Sequence, residues 1–384
     1  VSVTAPQGFR ASGVTAGLKA SGKPDVALVV SDVTANAAAV FTSNTVQAAP
    51  VRQSRAALTD GRLRAVVLNS GGANACTGAQ GRADAAAMAA VTAAHVGCAA
   101  TEVAVASTGL IGVPLPMDLV VPGIEAAAAA LDPDGGPRAA RAIMTTDSVP
   151  KQAVRSVGGV TVGGMAKGAG MLAPALATML VVLTTDADVA PGDLDTALRA
   201  ATAATFDRVD ADGCMSTNDA VYVLANAASG VRLDNAAFTD LLTEVCADLA
   251  SQLVDDAEGA SKRIEVTVAQ AVTDADALAA ARAVARSALL KCAVHGEDPN
   301  WGRVLAAIGT TSAAFDPDRV GVSINGVQVC RHGTAYGDLD AARTAMKSRD
   351  VAIDVTLDAG IAAATVLTTD LTAAYVHENS AYST

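Results

Sequence analysis

The chain has 384 residues, 51% of them hydrophobic but only 3% aromatic, which allows one large or two moderate domains packed mainly with Ala, Val, Leu and Ile. Its net charge of −12, without any Lys/Arg block, argues against nucleic acid, while its short apolar runs and the absence of basic and apolar blocks at the N-terminus argue against a membrane span or a secretory signal. Six separated cysteines with no CxxC pair, beside only four histidines, argue against a zinc cluster or a disulfide framework and fit a reducing cytoplasm.

Taken in order, residues 25–30 (DVALVV), 38–42 and 64–68 read as strands. The last runs into NSGGANACTG at 69–78, which is either a turn offering backbone amides to a ligand or a plain tight loop. It is no phosphate loop, because the GK[ST] ending is missing. Residues 82–95 predict a helix, and 102–106 a strand leading into STGLIG at 107–112. A Thr-Gly step after a strand suits an oxyanion-binding amide, and equally suits a simple turn. Helices are predicted at 122–131, with Pro122 at the start, and at 137–143; Gly158 and Gly159 predict a hairpin within 154–162.

The segment from Gly163 to Asp186, GGMAKGAGMLAPALATMLVVLTTD, is the centre of the reading. Its glycines permit bending or close approach, Lys167 is its only charge before Asp186, and Met179 to Leu183 reads as a buried strand. Thr178 between them is either strand filler or a nucleophile at the start of a rigid element. Beyond it the pattern predicts a helix from Pro191 to about Ala204, a polar turn at 208–213 that lacks calcium-loop spacing, and a buried segment at 220–225. Further helices are expected at 238–253, 273–290 and 370–378, and strands at 263–269, 319–323, 351–357 and 361–367. Glu258 is a ligand or a turn residue, and Trp301 marks a helix start.

A threonine hydroxyl needs a base to act as a nucleophile. No Ser/His/Asp or Cys/His set can be assigned, but one solution is local. If the Ala177–Thr178 bond is cut, Thr178 gains an α-amine with a pKa near about 8, able to serve its own Oγ. The same hydroxyl can make the cut by an N-to-O acyl shift followed by hydrolysis.

At this point the sequence resembles the ornithine acetyltransferase (glutamate N-acetyltransferase, ArgJ) family of arginine biosynthesis. The resemblance rests on KGAGMLAPALATML at 167–180 and on AAVFTSNTVQAAPV at 38–51, NSGGANACTG at 69–78, STGLIG at 107–112 and MTTD at 144–147. It continues through STNDAV at 216–221, EGASK at 258–262, GEDPNWGR at 296–303 and ENSAYST at 378–384. It implies a mixed α/β, ArgJ/DmpA-like self-processing fold with helices packed around central sheets. It also implies cleavage between Ala177 and Thr178 into an alpha fragment, 1–177, and a beta fragment, 178–384, interlocked and paired as a heterotetramer of two of each.

By the same resemblance Thr178 is the nucleophile, and Thr108 and Gly109 form the oxyanion hole. Thr145 (or Thr146), Lys167, Thr178, Glu258, Asn379 and Thr384 bind substrate. The implied reaction is ping-pong, from N-acetyl-L-ornithine to L-glutamate through an acetyl-threonine, with no metal or organic cofactor. Departures fall at Gly72, Ala175, Cys214 and Met215, and bear on pocket detail. The rival readings are an N-terminal-nucleophile amidase or aminopeptidase, acetyl-CoA as an additional donor, and a non-catalytic protein in which Thr178 is an ordinary strand residue.

Overall fold

The computed structural model describes residues 2–171 and 179–381. They divide into two compact units, one of 2–171, 179–207 and 214–256, the other of 208–213 and 257–381. Thr178, Ala177, Ala175 and Thr384 lie outside the described residues.

In chain order the first unit contains β1 (Phe9–Val14), β2 (Val26–Phe41), α1 (Ala49–Ala57), β3 (Arg62–Ser70), α2 (Gly78–Val96), β4 (Val103–Thr108), α3 (Met117–Ala129) and α4 (Gly136–Ala142). Then follow β5 (Lys151–Val157), β6 (Val160–Lys167), β7 (Leu180–Thr185), α5 (Pro191–Ala204), β8 (Ala220–Ala225) and α6 (Asn235–Asp255). One sheet runs β4-β3-β2-β8-β7-β6-β5, with β1 added on β2. The pairs β3–β4 and β7–β8 are parallel, and the others antiparallel.

The middle strands read as unbroken apolar runs because both faces of the sheet are covered. Val26, Leu28, Val67 and Val105 lie in one buried cluster with Met88 of α2 and Ile124 of α3. Val29, Val66, Leu68, Val182 and Tyr222 lie in another with Ala139 and Ala140 of α4. Helices α5 and α6 pack on each other, and α6 also covers β5 and β6. Strand β7 pairs with β6 on one side and β8 on the other, so chain from before residue 172 and after 178 shares one sheet.

Two expectations change here. Segments 25–30 and 38–42 belong to one sixteen-residue strand, β2. Its register with β3 shifts across the polar middle between Val30 and Ala35, pairing with β3 resumes at Ala35 and Asn36, and from Asn36 to Phe41 the strand runs along β8. Helix α3 begins at Met117, with Pro122 inside it. Proline's missing amide costs one helical bond there, and burial of Val120, Gly123, Ile124 and Ala127 holds the helix across it. The hairpin forms as predicted, with φ of +58° at Gly158 and +85° at Gly159.

The second unit contains β9 (Arg263–Ala271), α7 (Asp274–Arg286), α8 (Ala288–His295), α9 (Trp301–Ile308), β10 (Gly321–Ile324), β11 (Val327–Arg331), β12 (Thr334–Ala335), α10 (Leu339–Ala345), β13 (Asp350–Thr356), β14 (Ala362–Thr369) and α11 (Ala373–Ala381). Its sheet runs β12-β11-β10-β13-β9-β14, with β9 and β13 parallel. Val266, Val268, Ile353, Val355 and Val366 pack against Ala281 and Val284 of α7 and Val304 and Ile308 of α9.

The expected single helix over 273–290 is two helices. Ser287 leaves helical geometry at φ −67°, ψ 98°, and its hydroxyl accepts from the Leu290 amide to start α8. The 208–213 turn belongs to this unit: the Asp210 amide donates to the Leu367 carbonyl, and the Asp210 carboxylate pairs with Arg286 at 2.5 Å. No group of His, Cys, Asp and Glu able to hold a metal ion occurs among the described residues, and no described helix is long and apolar enough to cross a membrane.

Candidate functional site

In the first unit the site is assembled at the ends of β4 and β6. Thr108, the last residue of β4, is 2% exposed. Its carbonyl accepts from the amides of Gly71 (2.9 Å) and Gly72 (3.0 Å). The amides of Gly71 and Gly72 in the 69–78 turn are therefore spent on fixing the strand end. Gly109 has φ +128°, and a Cβ there would stand 2.6 Å from the Gly72 amide nitrogen and 2.8 Å from the Gly71 carbonyl carbon, so only glycine fits.

Beneath this corner lies a buried amide network. Asn218 Nδ2 donates to the carbonyls of Ser107 (2.8 Å) and Ala73 (2.6 Å), and the Ser107 hydroxyl donates to Asn69 Oδ1 at 2.5 Å. Asn69 Nδ2 closes the ring on the Gly72 carbonyl at 3.0 Å. The parts of the chain around 70, 108 and 218 are thus locked together by buried hydrogen bonds.

Lys167 ends β6, is 2% exposed, and donates from Nζ to Thr108 Oγ1 at 3.2 Å. Asp147 lies close to it. Oδ1 of this buried carboxylate accepts from the Gly168 amide at 2.7 Å and Lys151 Nζ at 2.6 Å, and Oδ2 from the Thr145 amide at 2.9 Å. Burial alone would raise its pKa, but the charges of Lys167 and Lys151 and these hydrogen bonds outweigh burial and bring it to about 2. Lys151 also pairs with Asp256 at 2.5 Å. Asp256 in turn accepts from the amide and hydroxyl of Ser148. Thr145 is held on Asp147 by its backbone amide.

The chain resumes after residue 178 at Met179, whose amide donates to Asp219 Oδ1 at 3.0 Å. Burial pushes the Asp219 carboxyl well above its ordinary range, against the pull of the Met179 amide, Ser216 and Lys167. The described ends of the 168–179 segment are therefore each tied to a buried carboxyl, Asp147 at Gly168 and Asp219 at Met179.

In the second unit, Glu258 and Asn379 meet, with Asn379 Nδ2 3.0 Å from Glu258 Oε2. Asp370 sets the turn that carries Glu258. It accepts from the amides of Ser261 and Lys262 (both 2.9 Å), from the Ser261 hydroxyl (2.5 Å) and from His295 Nδ1 (2.8 Å). Burial raises the Asp370 pKa, but these bonds lower it by more. Thr372 donates its hydroxyl to the Gly259 carbonyl and caps Tyr375 at the start of α11. A Cβ on Gly259 would stand 2.2 Å from the Tyr375 amide, so turn and helix pack backbone to backbone.

A family model described as "ArgJ family" matches residues 10–384. The chain belongs to the ArgJ family. It is 59% identical over 385 residues to the "Arginine biosynthesis bifunctional protein ArgJ" of Thermobifida fusca, and the match covers all of both chains. It is 60% identical over 384 residues to the protein of the same name from Streptomyces avermitilis, again covering all of both. The Mycobacterium tuberculosis relative is 54% identical over 390 residues, covering 99% of this chain and 96% of that one. Among solved structures, ornithine acetyltransferase complexed with ornithine from Mycobacterium tuberculosis matches with 49% identity and a TM-score of 0.42, covering 47% of this chain and 96% of that chain. The Bacillus halodurans ArgJ structure matches with 41% identity and a TM-score of 0.43, covering 47% of this chain and 95% of that one.

Of the residues expected from the ArgJ resemblance, Thr108, Gly109 and Lys167 stand together in the first unit, with Thr145 bound to them through Asp147. Glu258 and Asn379 stand together in the second. Thr178, Ala177 and Thr384 lie outside the described residues. Sequence reasoning passed over Asp147 as a holder, and also Lys151, Asp219, Asp256, Asn69, Asn218 and Asp370. The quoted motifs MTTD and STNDAV contained three of these, but nothing in a motif says which member is a ligand and which a support.

Proposed function

We propose that this ArgJ-family enzyme moves the acetyl group of N-acetyl-L-ornithine to L-glutamate through an acetyl-Thr178 intermediate, after cutting itself between Ala177 and Thr178. Membership of the family over residues 10–384 carries the reaction class, an acetyltransferase of arginine biosynthesis. The contact of Lys167 with Thr108, beside the glycine-only corner at Gly109, supports the assignment of roles.

Thr178 Oγ attacks the Ala177 carbonyl carbon, the C–N bond breaks, and the nitrogen takes up the proton, leaving an ester. Water then releases the Ala177 carboxylate and a Thr178 with a free amine. Anchoring Gly168 on Asp147 and Met179 on Asp219 keeps both described flanks fixed during these steps.

In the first half-reaction the Thr178 amine takes the Oγ proton as Oγ attacks the acetyl carbonyl. Negative charge develops on the carbonyl oxygen and is held at Thr108 and Gly109, where fixed donors out of water act most strongly. Collapse expels ornithine as its amine is protonated. In the second half-reaction the neutral amine of glutamate attacks the ester, and N-acetyl-L-glutamate leaves. Lys167 suits the α-carboxylate common to both substrates, and Glu258 with Asn379 suits the ornithine ammonium. Thr145 and Thr384 complete the substrate contacts. The fragments, 1–177 and 178–384, form a heterotetramer of two of each. The reaction needs no cofactor, and the enzyme works in the cytoplasm.

The test is to supply the purified enzyme with N-acetyl-L-ornithine and L-glutamate and measure ornithine and N-acetylglutamate together. Equal formation of the two supports transfer. Ornithine with free acetate, unaffected by glutamate, favours the amidase reading. Acetyl-CoA as an additional donor is read in the same assay by replacing acetylornithine.

A further inference from the structure

Lys19 belongs to no motif, yet it is built into the first-unit site. The loop that carries it is wrapped on one carboxylate: Asp25 accepts from the amides of Ala16 (2.6 Å), Gly17 (3.0 Å), Leu18 (2.6 Å) and Lys19 (3.2 Å). Leu18 lies against the glycine turn, since a Cβ on Gly71 would stand 3.1 Å from both its Cβ and its carbonyl oxygen. Gly71 is one of the two residues whose amides hold Thr108. The Lys19 amine is directed inward, with Nζ donating to the carbonyl of Met144 at 2.6 Å, one residue before Thr145, and to the carbonyl of Pro24 at 2.7 Å.

These partners leave its charge in place. Among the described residues Lys19 bonds two carbonyl oxygens and no carboxylate within ion-pair distance. Asp25 is occupied by backbone amides, and Asp147 by Lys151, Thr145 and Gly168. Burial lowers the Lys19 pKa to about 8, with Asp25 and Asp147 opposing and Lys167 and Lys23 reinforcing that fall. Lys19 and Lys167 therefore share one field.

The two substrates differ in what they ask of such a field. N-acetyl-L-ornithine brings one carboxylate and one ammonium. L-glutamate, once its amine is neutral and ready to attack, brings two carboxylates. One site must accept both in turn, and a second cation stabilises only the dicarboxylate.

We propose that Lys19 is a second carboxylate-reading cation of this site and selects for the acceptor, L-glutamate, in the second half-reaction. This rests on the acetyl-transfer reading above. An amine that titrates near pH 8 suits the alternation, because it gives up its charge more readily than an ordinary lysine while the ornithine ammonium is bound.

Ping-pong kinetics separates the two half-reactions, since kcat/KM for each substrate reports only its own. Lys19→Met is expected to lower kcat/KM for glutamate by about ten- to a hundred-fold, the scale of one charge-assisted hydrogen bond, and to change that for N-acetyl-L-ornithine less than about threefold. Lys19→Arg keeps the charge and is expected to recover most of the loss. In the wild type, kcat/KM for glutamate should also lose a component as pH rises through about 8, and that component should be absent from Lys19→Arg. Equal losses for both substrates in Lys19→Met, or an unchanged value for glutamate, would overturn the proposal. A wild-type enzyme that makes no N-acetylglutamate would instead overturn the acetyl-transfer reading on which it rests.

Discussion

Around Thr108 the polar groups are buried and tied to one another by hydrogen bonds. Around Glu258 they stand near the surface, on a turn and the last helix. Ser107 bonds Asn69 through its hydroxyl and Asn218 through its carbonyl, and Asp147 binds two amides and a lysine out of water. Glu258 and Asn379 share one hydrogen bond, and Asn379 is exposed. The buried carboxylate of that second region, Asp370, works on the turn behind Glu258 and not on Glu258 itself. The difference matches the two tasks proposed for these regions. Charge that develops at a reacting oxygen needs donors already in place, whereas reading a flexible ammonium needs a carboxylate that water can reach before the substrate does.

That contrast can be broken by substitution. The largest effect is expected at Gly109→Ala, which drives a methyl group into the 71–72 backbone at a φ that only glycine tolerates. The acetyl-transfer rate should fall by about a hundred- to a thousand-fold, the cost of losing an oxyanion donor, with a smaller change in KM. A KM effect alone would mean that this corner binds and does not stabilise charge.

Asp147→Ala comes next, because it strands Lys151 with Asp256 alone and frees the Thr145 and Gly168 amides. Stability should fall by about 3 kcal/mol in denaturant titration. The sign with pH is fixed by the depressed pKa. Asp147 stabilises the fold above its ordinary value of 3.8, and this contribution is lost as pH falls through about 2. The gap between wild type and variant should therefore narrow between pH 4 and pH 2, and a gap that widens would contradict the assignment.

Glu258→Gln keeps the shape and the bond from Asn379, and removes the charge. It should raise KM for N-acetyl-L-ornithine by about tenfold with little change in melting temperature. The smallest effect belongs to His295→Ala. His295 is half exposed and only one of several donors to Asp370, so stability should change by less than about 1 kcal/mol. A larger loss would mean that the Glu258 turn depends on a single contact.

Local patterns were legible where local chemistry decides. The Gly158–Gly159 hairpin, the proline start of α5 and the buried β8 follow from turn residues and apolar runs. The split at Ser287 was hidden because alanine-rich spacing continues straight through the residue that caps α8. The long β2 reads as two strands because its middle, Ser31 to Asn36, is largely polar at the register shift. In the site, the residues named by motif stood out while their holders did not. Asp147 meets Lys151 nearby, but Lys151 meets Asp256 across 105 positions, and Asp25 reveals its role only through four amides of a loop without any motif. Distant pairings of this kind leave no spacing to read.

The most direct test is mass spectrometry of the denatured enzyme before and after N-acetyl-L-ornithine is added without acceptor. The account predicts two fragments dividing at Ala177–Thr178, with one acetyl group appearing on the fragment that begins at Thr178 and disappearing on addition of L-glutamate. An uncut chain that still transfers acetyl, or an acetyl group carried on any other residue, would contradict it.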